Sequence, residues 1–272
     1  MKKIYISIAL FLFMFIDVDA KELKNYTENN TTNSSGITKE KKLLNLNISL
    51  NMGLIAYGIN QWGYDILNRK PHGQSEGWFE KDTKHGGADK LGHAYTGHLA
   101  VHLFGYAYEH FGYSKDEASF NAMLSSIVLT STMEIGDSFS DFGLSYEDVV
   151  ANLIGAVFGY YSYKYKALSD KLDFRFEFMP DIDMIKDDFT TEYEENKYLL
   201  VLKASGFSCF RDSYLKYLEV YVGYTISGFH DAPYTNERHT FFGIGLNLSE
   251  ILNTKVFNYY QIPKSYLSTF NK

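Results

Sequence analysis

Three short stretches of this chain carry titratable side chains at helical spacing. In Gly87-Ala88-Asp89-Lys90-Leu91-Gly92-His93, Asp89 and His93 are four residues apart, so on a helix they share a face. Glu134-Ile135-Gly136-Asp137 sets two carboxylates on one face in the same way, and Asp148-Val149-Val150-Ala151-Asn152 pairs an acid with an amide. The last stripe continues into Gly155 and Gly159, where missing side chains let another helix come close. A histidine beside carboxylates can act as general base or hold a metal ion, and the carboxylates can serve as acid, base or ligand.

Each pair also has an ordinary structural explanation. Asp89 after two glycines can cap a helix, Asp148 completes a capping box with Ser145, and Asn152 can bond a neighbouring backbone group. Glu134 and Asp137 fit less well, because carboxylates at a helix C-terminus oppose the macrodipole by about 0.3–1 kcal/mol each. They need partners. Lys90 and His93, at the start of the preceding helix, are the natural ones if the two helices run antiparallel. The residues alone leave a structural network and a ligand or catalytic site both open.

The elements that must position these groups are helical. From Leu43 to about Lys166 the apolar pattern predicts four helices, roughly 44–67, 89–112, 115–137 and 146–166. Ser114 to Glu117 and Ser145 to Asp148 each place a hydroxyl three residues before a carboxylate, a helix-start signature. Short connections at Gly112-Tyr113 and Gly143-Leu144 favour antiparallel neighbours. After Lys171 the period changes to two: Asp173-Phe174-Arg175-Phe176-Glu177-Phe178, Lys197 to Lys203, Tyr217 to Gly228 and His239 to Leu248 read as strands. The expected fold is α+β, an antiparallel array of about four helices followed by a small antiparallel β-sheet with one aromatic face. The acidic Asp181–Asn196 stretch reads as a solvated connector. Gly243-Ile244-Gly245 lies in a strand pattern and implies a bulge or close backbone approach.

Residues 1–20 read as an export signal, with Lys2 and Lys3, an apolar run of about thirteen residues and a small-residue end at Ala20. That run is short against the roughly 20 residues of a spanning helix. Residues 21–42 read as a polar tether, 43–167 as the helical domain and 168–272 as the β region. The one Cys, Cys209, lies far from any processing site, so no lipid anchor is indicated, and its Phe207 and Phe210 neighbours suit a small buried hydrophobe. The 272 residues are 45% hydrophobic and 17% aromatic, enough for a packed core, and the net charge of −7 argues against nucleic-acid binding. Of the charge-free stretches only Leu43–Tyr64 is long enough to span a membrane, and it holds Asn45, Asn47, Asn51, Asn60 and Gln61. That favours a peripheral or soluble bundle.

The ordered set Gly87 to His93, Glu134 to Asp137, Gly143-Leu144-Ser145 with Asp148, and Asn152-Leu153-Ile154-Gly155-Ala156 resembles the YfiM-like family of predicted periplasmic proteins, domain of unknown function 2279. It is more loosely similar to the VanZ-like family. The resemblance implies that Asp89, Lys90, His93, Glu134, Asp137, Asp148 and Asn152 form a shared polar set, and it supplies no reaction.

No HExxH, Gly-x-Ser-x-Gly or P-loop pattern is present, and His98 with His102 reads as a packed or partly exposed helix face, not a metal pair. The leading expectation is an exported cell-envelope protein, periplasmic or envelope-associated, whose cluster is structural or binding through Asp89, Lys90, Asp148 and Asn152. The alternative is a hydrolase or transferase acting on an envelope lipid or glycan through His93, Glu134 and Asp137. The pattern specifies neither cofactor, metal nor oligomeric state, and the expected partner is a membrane lipid or another envelope component.

Overall fold

The computed structural model describes residues 37–178, 193, 196–229 and 236–269. The expected signal, most of the tether and most of the acidic connector lie outside the described residues. Four long helices come first: α1 (Lys39–Gln61), α2 (Ala88–His110), α3 (Lys115–Asp137) and α4 (Tyr146–Lys164). The start of α1 is earlier than expected because Thr38 caps it, accepting a bond from the Lys41 amide. Its end is also earlier. Gly63 takes a left-handed φ of 70°, and the chain doubles back so that the Tyr64 ring fills the space between Gly58 of α1 and Gly136 of α3. The capping box at Ser114 and Glu117 forms with both of its bonds.

Helix α2 lies between α3 and α4. A Cβ at Gly155 would strike the Ala94 carbonyl, and one at Gly97 would lie 2.6 Å from the Asn152 carbonyl, so the backbones of α2 and α4 touch. Where α3 faces α2 the residues are small and polar: the Ser126 hydroxyl donates to the Gly97 carbonyl at 2.9 Å. Larger side chains, Phe104, Tyr108 and Tyr163, fill the core further along.

The five strands β1 (Leu172–Glu177), β2 (Lys197–Lys203), β3 (Leu218–Ser227), β4 (Glu237–Leu246) and β5 (Tyr266–Ser268) form an antiparallel meander in chain order. Tyr95 of α2 packs on the aromatic face, its ring 5.5 Å from both Phe174 and Phe176. The opposite face holds the surprise. Asp173, Arg175, Glu177, Lys203 and Glu219 are all buried there. The Arg175 guanidinium donates to Asp173 at 2.7 Å, to Glu219 at 2.7 and 2.9 Å, and to Gln261 at 2.9 Å. Lys203 bonds Asp173 and Lys197 bonds Glu177, so each buried charge has its opposite.

Of two smaller expectations, one holds in its second form: Gly243 and Gly245 sit in a regular strand without a bulge, and the close approach is made by Tyr266, Tyr221 and, 3.0 Å from where a Gly243 Cβ would lie, the Leu267 carbonyl. The other does not hold: Cys209 is exposed, because the short helix Ser208–Arg211 that carries it stands outside the core.

Candidate functional site

The three polar stretches converge. Lys90 and His93 project from the first two turns of α2, Glu134 from the end of α3, and Asp148 and Asn152 from the start of α4. The Lys90 ammonium lies 2.7 Å from Glu76, 2.7 Å from Asp89 and 2.8 Å from Asp148. Burial alone would lower its pKa, but Asp89 and Asp148 outweigh that and hold it charged. The His93 ring stands between two acids, Nδ1 at 3.3 Å from Glu134 and Nε2 at 3.6 Å from Asp148. The Asn152 amide donates to the same Glu134 oxygen at 2.9 Å.

Lys90 is therefore not the partner expected for Glu134 and Asp137. Its charge is taken up by the three carboxylates around it, and of the two expected cations only His93 reaches Glu134. Burial, with Asp148 and Asp137 nearby, pushes the Glu134 carboxyl up to about 9. Asp137 lies at the edge of the group. Burial pushes it up to about 7, opposed by the nearby Tyr64 hydroxyl, which donates to the Met133 carbonyl at 3.1 Å, and reinforced by Asp148 and Glu76.

The expected capping roles also change. The Ser145 hydroxyl accepts from the Asp148 amide at 3.2 Å, but the Asp148 carboxylate turns to Lys90 and His93 instead of closing the box. Gly87, in a left-handed conformation, takes the N-cap position that Asp89 was expected to fill. Of the two readings of His98 and His102, the packed one holds: His102 bonds Tyr259 at 2.8 Å and Ser162 at 2.9 Å, and the His98 ring packs 5.2 Å from Phe158.

Glu76 and Tyr64 are the residues that sequence reasoning missed. Glu76 sits in an irregular segment with no periodicity to mark it. That segment is tied to α4 by Glu147, which accepts from Ser75 Oγ at 2.6 Å, the Gly77 amide at 3.2 Å and Ser145 Oγ at 3.0 Å. Burial works against the Glu147 charge, yet these bonds hold its pKa at about 2. For Tyr64 a faint signal exists, in the glycines Gly58 and Gly136 whose absent side chains receive its ring.

Two trios of potential ligands share Asp148: His93, Glu134 and Asp148, and Glu76, Asp89 and Asp148, each with donor atoms within 4.8 Å of one another. The second trio already encloses the Lys90 ammonium. The first encloses no cation, and around it His93 Nδ1, Asp148 Oδ1 and Asn152 Oδ1 are buried without a hydrogen bond. Asp148 Oδ1 meets Lys90 as an ion pair whose angle falls short of one.

Residues 75–164, from the Glu76 segment to the end of α4, match the family model described as "Predicted periplasmic lipoprotein (DUF2279)". The match takes in all seven residues of the expected polar set and Glu76, and leaves Tyr64 and the sheet outside it. The description agrees with the exported, envelope-associated location expected from the amino-terminal sequence. No curated protein and no solved structure matches the chain.

Proposed function

We propose that this exported envelope protein binds one divalent transition-metal cation, Zn2+ or Mn2+, between His93, Glu134 and Asp148. The carrying observation is that trio of donors on three helices, next to buried donor atoms that have no hydrogen-bond partner. One imidazole with two carboxylates suits these ions, and the Asn152 carbonyl is at hand as a fourth ligand. Ligand atoms around a tetrahedral ion sit about 3.4 Å apart, so binding draws the three together. Asp89 and Glu76 hold Lys90 in place behind Asp148, which makes them supports and not ligands. The narrower likeness to YfiM-like and VanZ-like proteins rests on these same residues.

Catalysis on an envelope lipid or glycan by His93, Glu134 and Asp137 is less well supported. The side chains of Glu134 and Asp148 are 3% and 7% exposed and that of His93 14%, so a substrate has little of the site to touch.

The test is metal analysis of the protein purified from the cell envelope, followed by calorimetric titration of chelator-treated protein with Zn2+ and with Mn2+. One equivalent is expected, and at a hundredfold excess over Kd the ion adds about 2.7 kcal/mol of stability. His93→Ala and Asp148→Asn lose the binding. A wild-type protein that retains no metal and melts unchanged in millimolar Zn2+ and Mn2+ rejects the proposal in favour of a purely structural network.

A further inference from the structure

The aromatic face of the sheet, on which Tyr95 of α2 packs at Phe174 and Phe176, runs on past the helix as an apolar and open surface. In register across four strands, Leu202, Val220, Ile244 and Leu267 form one row, 40–77% exposed. The next row is Leu200, Val222 and Phe242, 45–62% exposed. The two rows hold no charged residue, while Arg175, Asp173 and Glu219 are buried on the face beneath them. The exposed side chains of the two rows are thus apolar, while those charges are buried on the other face beside Leu199, Val201, Tyr221 and Phe241.

The helices repeat this arrangement. Along α3 the side chains toward α2 and α4 include Ser125, Ser126, Thr130 and Glu134, and those pointing away are Phe120, Leu124, Val128 and Ile135. On α4, Asn152, Gly155 and Gly159 face inward while Leu153, Ile154 and Val157 are exposed. Among the described residues no helix is long and apolar enough to cross a membrane. The outward stripes are nevertheless aliphatic on two helices and on the sheet. A protein partner covers one continuous patch, whereas an apolar medium meets outward-facing surfaces on separate elements at once.

We propose that the open part of this sheet face, with the outward stripes of α3 and α4, is immersed in the acyl-chain region of an envelope membrane, with phospholipid hydrocarbon as its occupant. This rests on the surface alone and is independent of the metal reading. A groove of about 570 Å³ adjoins the second row, lined by Phe79, Leu91, Phe174, Leu200 and Val222 and also by Arg238, so that it offers an acyl chain apolar walls and one cation.

The experiment uses protein purified from the cell envelope, with Cys209→Ser and one new cysteine at Val222, Ile244 or Ile135, each carrying an environment-sensitive fluorophore. Phosphatidylcholine vesicles containing lipids spin-labelled on the acyl chain are added. A label at Asp141, whose side chain is 92% exposed, serves as the aqueous control. The expected result is a blue shift and at least twofold quenching at Val222→Cys, Ile244→Cys and Ile135→Cys, with none at Asp141→Cys, unchanged in 1 M salt. Because each label reports its own surroundings, attachment through the amino-terminal apolar run leaves these positions unquenched, and that outcome overturns the proposal. So does protection of the same positions without lipid in a protein that runs as a dimer, which would assign the face to a second copy.

Discussion

In the sheet, Arg175, Lys197 and Lys203 are bonded to Asp173, Glu177 and Glu219, and Gln261 and Tyr266 take up further bonds to the same groups. In the helices, Lys90 and His93 stand among Glu76, Asp89, Glu134, Asp137 and Asp148. Both groups are buried and both draw on distant parts of the chain. They differ in closure. The sheet group matches cation to carboxylate, whereas the helical group has more acids than bases and keeps three buried atoms without a hydrogen bond. Burying charge is costly unless each is compensated, so a balanced network reads as architecture. An unbalanced one that persists in a packed site leaves work for a ligand.

The largest expected effect breaks the closed group. Arg175→Ala leaves Glu219 buried without a cation and Asp173 with Lys203 alone, and the unfolding free energy should fall by about 3–5 kcal/mol, read from the urea midpoint. A fall below 1 kcal/mol would mean that the sheet charges are not coupled. Next comes the contact that holds the helical group together. In Gly155→Ala the added methyl overlaps the Ala94 carbonyl, so a loss of about 1–3 kcal/mol is expected, together with weaker Zn2+ binding as Asp148 and Asn152 move away from His93.

The seam between the two regions gives a pH effect. Burial lowers the pKa of His98 to about 3, and burial with the neighbouring His98 lowers that of His102 well below its usual value. The unfolded chain takes up these protons near pH 6.5 and the folded one does not, so the stabilisation is complete above pH 6.5 and declines as pH falls toward 3. Each histidine should cost about 1.4 kcal/mol per pH unit in that window, and His98→Gln or His102→Gln should flatten the slope measured by thermal melts. The smallest effect sharpens the comparison most. In metal-free protein at neutral pH, Glu134→Gln should change stability by less than about 1 kcal/mol, because burial already keeps that carboxyl protonated. Glu219→Gln, in the closed group, should cost about 3 kcal/mol. Equal losses at the two positions would erase the distinction.

How much of this was legible depends on whether a signal is local. The helix starts at Ser114 and Ser145, and the stripe from Asp148 through Asn152 to Gly155, follow from spacing within one element, and they stand where spacing puts them. Glu76 was invisible, and Tyr64 was marked only by the glycines that receive its ring, because loop closure brings both in and a loop has no period to read. The alternation of Asp173, Arg175 and Glu177 with Phe174 and Phe176 was plain, but alternation only divides a strand into two faces. Which face is sheltered depends on partners such as Glu219 and Gln261, which lie 44 and 86 residues away from Arg175.

The glycine contact between α2 and α4 has a mechanical consequence. With their backbones in touch, these helices cannot slide or part without losing the fit at Gly97 and Gly155, so His93, Asp148 and Asn152 ride on one stiff block. Glu134 belongs to another body, α3, whose far side is wedged against α1 by the Tyr64 ring between Gly58 and Gly136. On the metal reading, an ion that draws Glu134 toward His93 and Asp148 pulls on α3, and through the Tyr64 ring on α1.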